Sequence, residues 1–175
     1  MYVYLELMKS AGRRQRMADM PVEYPLPRGD RWAVWRWHDI PSQINKGQVY
    51  LRRLRVINTP WFGVMVHWIN EPDTGRWPHD HPWNFYSWVL RGAVYEELYP
   101  NWRHYTTGAP PLQRVRRRWS VSCMRIREAH RIVLVPDGTM TLVITGKRQR
   151  KFCFWTPRHK VPWDRMQPSE VNDVD

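Results

Sequence analysis

The chain is 175 residues long and 42% hydrophobic, with 28 Lys and Arg against 16 Asp and Glu, a formal charge of +12. This length favours one domain with an arm, and the apolar share is enough for a core. There is no run of about 18 apolar residues to span a membrane, the two Cys, Cys123 and Cys153, cannot form a disulfide framework, and the sequence has no Gly-rich phosphate loop.

Residues 1–20 read as a short helix whose weak apolar face, Tyr2, Tyr4, Leu5 and Met8, ends before Pro21. Its charges follow the apolar part, the reverse of a secretory signal, and with only two Cys the expected compartment is a reducing cytoplasm. Residues 21–30 carry three Pro and a Gly and read as an extended linker. Residues 31–39 alternate as a strand does, with a helix as the alternative. From residue 48 onward the text is β-rich: 48–57, 61–69, 83–90, 93–99, 112–126 in pieces, 130–135, 139–145 and 151–156. Turn-forming clusters separate these runs, among them Asn58-Thr59-Pro60, Glu71-Pro72-Asp73, Gly108-Ala109-Pro110 and Pro136-Asp137-Gly138. About eight short strands with turn signals between them predict an all-β sandwich or barrel. The expected division is a helix and Pro-rich arm over 1–47, a barrel over 48–156, and a tail over 157–175 that packs through Trp163.

The basic charge falls in runs, Arg114, Arg116, Arg117 and Arg118, then Lys147, Arg148, Arg150 and Lys151. Such runs suit phosphates, and nearby Trp suits unpaired bases, so a basic nucleic-acid-binding or structural protein is one reading. Arg, Trp and Pro also share GC-rich codons, and runs of charge on strands are commonly solvated faces.

The chain has seven His, and two of them form H-x-H in GRWPHDHPWNF. On extended backbone, residues i and i+2 face the same side, so His79 and His81 point into one volume. Two convergent imidazoles are what a first-row metal takes, and His130, opening the apolar run HRIVLV, is the expected third ligand. Asp80, between the two, is expected to point away. Around this centre, His67 is a fourth ligand, a general base or a core His bonded to a carbonyl. Tyr86 is a phenolic proton donor or a core aromatic. Glu96 or Glu97 is an acid/base group at the barrel mouth or faces solvent. Arg91 and Ser87 share the parity of the H-x-H and would bind an anionic group of the substrate. Trp77-Pro78 and Pro82-Trp83 would wall the site.

HDHPWNFYSWVLRG resembles the first motif of the cupin superfamily at His79, His81 and Gly92. Phe85 stands where that motif has its Glu ligand, and Asp73 where it has its leading Gly. Of the second motif His130 remains, with Trp119, Arg125, Arg127 and Leu134 at its other places. The chain also resembles small bacterial and phage cupin-like proteins in YLRRLRVINTPWFGVMVHWINEPD and in HRIVLV followed by TLVITGKR. The resemblance implies a double-stranded β-helix, or jelly roll. Three His without the Glu are similar to the thiol dioxygenase branch, which implies Fe(II) on His79, His81 and His130. Zn, Mn or Ni also accept such ligands. The expected activity is that of a non-haem Fe(II) oxygenase, or of a metal-dependent isomerase or lyase, on a small anionic substrate. A homodimer paired through sheet edges is a further expectation of the resemblance.

Overall fold

The structure is a computed structural model that describes residues 33–42, 45, 47–73, 77–162 and 165. The helix read over 1–20, the linker over 21–30 and Trp163 lie outside the described residues.

Among the described residues, twelve strands and one short helix follow one another: β1 (Ala33–Pro41), β2 (Val49–Asn58), β3 (Gly63–Ile69), β4 (His79–Asp80), β5 (Phe85–Arg91), β6 (Ala93–Tyr99), α1 (Trp102–Thr106), β7 (Leu112–Arg117), β8 (Val121–Met124), β9 (Ala129–Leu134), β10 (Thr139–Thr145), β11 (Cys153–Trp155) and β12 (Lys160–Pro162). They form two antiparallel sheets, in the orders β1-β2-β3-β10-β5-β8 and β12-β11-β4-β9-β6-β7. Within the run from β3 to β10, β3 pairs with β10, β4 with β9, β5 with β8 and β6 with β7. That is one long hairpin rolled up into two facing sheets, the jelly roll expected from the sequence. β1 extends the first sheet through β2, and β11 and β12 extend the second through β4. The sheets therefore run past 48–156 at both ends.

Three elements lie outside the expected strand runs: β4 in the H-x-H segment, β12 and α1. β12 falls in the segment read as tail. The helix α1 is opened by Asn101, whose side chain accepts from the His104 amide at 2.9 Å. It lays Trp102 against Trp155 on the outside of the second sheet, with ring centroids 5.5 Å apart.

Alternation decides what faces inward. On the first sheet, paired inward residues form rows across the strands. One row is Arg53, His67, Thr141 and Val89, and the next is Arg55, Met65, Val143 and Ser87. Leu51, Ile69, Val89, Val94, Ile132 and Val135 pack together in one core cluster, and Phe85, Met124 and Val143 in another, backed by Trp83 and Leu98. Buried charged and polar groups share this interior with them: Arg55, Ser87, Glu96, Arg116, His130 and Thr141.

Chain crossing between the sheets is tight at Gly92, the single residue between β5 and β6. Its φ is +75°, a region that a side chain rarely adopts, and a Cβ there would run into Thr139 Oγ1 and meet Thr139 Cα at 3.0 Å. Gly92→Ala is expected to cost about 1–3 kcal/mol, from backbone strain and overpacking together. A urea titration reads this as a lower midpoint at unchanged slope, and an unchanged midpoint refutes it.

Candidate metal centre

His79 lies in β4 opposite His130 of β9, as direct cross-strand partners. The row continues through Phe154 of β11 on one side and Leu98 of β6 on the other. His81 follows two residues after His79 on the same face. One ligand nitrogen from each of His79, His81 and His130 falls within 4.8 Å of the others. His81 Nε2 is 2.9 Å from His130 Nε2. Two adjacent ligand nitrogens at ordinary metal–nitrogen lengths of about 2.1 Å lie roughly 3 Å apart.

The rings are held from behind. His130 Nδ1 lies 2.7 Å from Glu96 Oε2, so the ring donates there and turns Nε2 into the cluster. His79 Nδ1 faces Asp73 Oδ2 at 3.5 Å. Asp73 is itself fixed: it accepts from the Tyr50 hydroxyl, and from the Ile132 amide at 2.7 Å. Burial pushes the His79 imidazole down to about 4, with His130 adding to this against the pull of Asp73 and Glu96. Burial, then His130 and His79, holds His81 well below its ordinary value. Two desolvated, neutral imidazoles offer free lone pairs, the state that metal binding needs. This donor set fits a divalent cation. Phe85 packs edge-on against His81 with ring centroids 4.7 Å apart, and the Phe152 ring lies 5.1 Å from that of His79. The site's walls are these phenyl rings and Phe154. Trp83 packs in the cluster of Phe85 and Met124.

Glu96 is not at the barrel mouth. It is 1% exposed and anchors a charge network: Arg116 Nε donates to its Oε1 at 2.6 Å and Arg114 Nε at 3.0 Å. Burial alone would raise its carboxyl. The His130 hydrogen bond and charge, then Arg116 and Arg114, outweigh that and hold it well below the usual carboxylate range. Its neighbour Glu97 points the other way and pairs with Arg131 at 2.7 Å.

The run of Arg divides by the same alternation. Arg116 is buried and Arg114 half-buried, both turned to Glu96, while Arg117 and Arg118 are exposed and Arg118 lies 4.9 Å over the Trp119 ring. The four do not form one phosphate-facing patch.

Other expectations also change. Ser87 is buried with its Oγ accepting from Arg116 Nη1 at 3.1 Å, so it is held by the network behind His130. Tyr86 is 53% exposed on the outer face of the first sheet, because it alternates with Phe85. Arg91 is exposed at the far end of β5, six residues or about 20 Å along the strand from Phe85, beside the Gly138 turn. His67 is inside the barrel and accepts from Arg53 Nε at 3.0 Å, so its partner is a guanidinium rather than a carbonyl. Asp80 does point away: it is wholly buried on the opposite face, where it accepts from Trp155 Nε1 at 2.6 Å and the Cys153 amide at 3.1 Å. Asp73 and Arg53 were missed. The signal for Arg53 was its parity with the buried Leu51.

No helix of the described residues is long and apolar enough to cross a membrane. No family model matches the sequence, and no curated protein does. Among solved structures the chain is similar to KdgF from Halomonas sp., at 18% identity over 65% of this chain and 89% of that one, TM-score 0.45. It is also similar to an RmlC-like cupin from Shewanella frigidimarina, at 12% identity over 65% and 87%, TM-score 0.41. A third is hydroxypropylphosphonic acid epoxidase from S. wedmorenis, at 11% identity over 63% and 55%, TM-score 0.45.

Proposed function

We propose that this chain, which has the cupin jelly-roll fold, is a mononuclear metalloenzyme that holds one divalent ion on His79, His81 and His130. The observation that carries this is the convergence of three imidazoles with His130 turned inward by a buried carboxylate. A site built only for packing has no need of such an orienting group. The ion is Fe(II) in the first instance, with Zn, Mn or Ni compatible with the same ligands. An ion held by these three His would supply Lewis acidity or redox chemistry there.

What the chain itself supplies favours the oxygenase over the isomerase or lyase. Proton transfer needs a group free to change protonation beside the substrate. Tyr86 is outside the barrel, both Glu96 oxygens are engaged, and His67 Nε2 is engaged by Arg53. The residues of the site instead orient and exclude water: Glu96 and Asp73 fix two rings, and Phe85, Phe152 and Phe154 make dry walls.

Metal content after purification without chelators tests this. The parent is expected to carry close to one ion per chain, and His79→Ala and His130→Ala to fall at least tenfold while keeping the parent's circular dichroism. A parent without metal after reconstitution with Fe(II), Zn(II), Mn(II) and Ni(II), or variants with unchanged occupancy, overturns the reading.

A further inference from the structure

The second basic run of the sequence, from Lys147, meets a pair of Arg from another part of the chain. At one end of the first sheet four adjacent strands present one row: Gly63 of β3, Thr145 of β10, Phe85 of β5 and Met124 of β8. What lies just beyond each of them therefore shares one rim. Trp61 and Phe62 precede Gly63, Gly146 and Lys147 follow Thr145, Asn84 precedes Phe85, and Arg125 follows Met124. Three spacings between strands make this rim roughly 14 Å wide.

Asn84 ties the two basic segments together. Its carbonyl accepts from the Gly146 amide at 2.9 Å, and its side chain accepts from the Ile126 amide at 2.7 Å. Arg150 adds a third tie, donating to the Ile126 carbonyl and reaching Asp80 Oδ2 at 2.9 Å. Arg150 is thus a brace, and its neighbours stay outside. Arg125, Arg127, Lys147 and Arg148 are exposed, and among the described residues none of the four pairs with a carboxylate. Glu128 is the one acid within 125–128 and 146–151, and it accepts from the Arg125 amide at 2.8 Å. Four like charges on two tied loops repel one another, and a bound polyanion removes that cost.

Beside the cations stand two rings. Thr59 fixes the turn between β2 and β3, its Oγ1 accepting from the Trp61 and Phe62 amides at 3.2 and 3.0 Å. Both rings are exposed. Cations alone suit any polyanion. Exposed rings held next to them suit a strand with unpaired bases, because each base has a face to stack and each link carries a phosphate. A duplex hides those faces, and one turn offers little apolar area to a lipid surface. We propose that this rim binds single-stranded nucleic acid without regard to sequence, with Arg125, Arg127, Lys147 and Arg148 on the phosphates and Trp61 and Phe62 against the bases. The turn after β7 serves as its contrast. It is held at Val89, four residues or roughly 13 Å along β5 from Phe85, and there Arg118 already lies over the Trp119 ring.

Fluorescence anisotropy of labelled oligothymidylate and oligouridylate, each of about 12 nucleotides, tests this on the full chain. The matching duplex and phosphatidylserine vesicles are the competing partners. At least one single strand is expected to bind at low salt, about fivefold or more tightly than the duplex. Its affinity is expected to fall with salt on a log–log slope of about −3, as four phosphate contacts on a single strand require. Lys147→Gln with Arg148→Gln is expected to halve that slope and to weaken binding about tenfold or more, and Arg125→Gln with Arg127→Gln to do the same. Arg117→Gln with Arg118→Gln removes as much charge at the other turn and is expected to change binding by less than about twofold. Trp61→Ala is expected to weaken binding about tenfold at unchanged slope. Each variant is expected to keep the parent's thermal midpoint, which separates a lost contact from a lost fold. No binding of either single strand, a duplex bound as tightly, vesicles bound more tightly than both strands, or equal losses from all three double variants overturns the proposal.

Discussion

Glu96→Ala is expected to cost about 3–5 kcal/mol of stability, the range for breaking a buried ion pair by removing one partner. The carboxylate serves three donors at once, His130 Nδ1, Arg116 Nε and Arg114 Nε, at 2.7, 2.6 and 3.0 Å. Removing it leaves Arg116 buried beside Arg114 with no counter-charge. A domain holds roughly 5–15 kcal/mol in total, so this one change takes a large share of it. Metal affinity is expected to fall about 10–100-fold as well, because the His130 ring loses the bond that sets its orientation. The two effects separate by design. Urea unfolding gives the first, and competition with a chelating dye gives the second. Glu96→Gln keeps the volume and one acceptor, and is expected to lose less stability than Glu96→Ala. Glu96→Leu combined with Arg116→Met is expected to be more stable than Glu96→Leu alone, because an apolar pair leaves one fewer stranded charge. A Glu96→Ala chain with the parent's midpoint and metal affinity would show that the network is ornamental.

Asp80→Ala is expected to cost about 2–6 kcal/mol through a different mechanism. Burial pushes the Asp80 carboxyl up, and the Trp155 hydrogen bond, Arg150 and Lys160 work against that. Arg150 and Lys160 are 28% and 30% exposed in their side chains, so they turn to water when the carboxylate is gone. Trp155 is wholly buried, and its indole N–H has no such escape. The stranded indole and the Cys153 amide therefore carry the cost, at about 1–3 kcal/mol each. Both bonds tie β11 to β4, the strand of only two residues that carries His79. A lowered midpoint together with partial metal occupancy is the expected result, and Asp80→Asn is expected to recover part of each. Full occupancy with a lowered midpoint would mean that β4 holds its place without β11.

The centre was legible in the sequence because it obeys a period. His79 and His81 are two apart on extended backbone, and His130 opens an apolar strand. The jelly roll was legible because turn clusters stand between short alternating runs. What escaped depended on pairing between distant strands. In AVYEELY the adjacent Glu96 and Glu97 are equal candidates for the inward face, and only the register against β7 and β9 gives Glu96 the inward place. Arg114 and Arg116 look like part of a solvated run until Glu96 is known to face them. Arg91 shared the parity of the H-x-H, but parity gives the face and not the height along the strand. β4 is too short to show a pattern at all. Its conformation is imposed by Asp80 on one side and His130's strand on the other.

The cross-strand pairing of His79 with His130 has a consequence for how such a centre is filled. In a zinc finger the metal brings its ligands together, and loading is folding. Here the spacing of two rings is the spacing of two backbone strands, closed by the same ladder that builds the second sheet. The ordering entropy of those side chains is met when the barrel forms. An ion held there would meet a receptor already in shape, and its removal would leave the barrel standing.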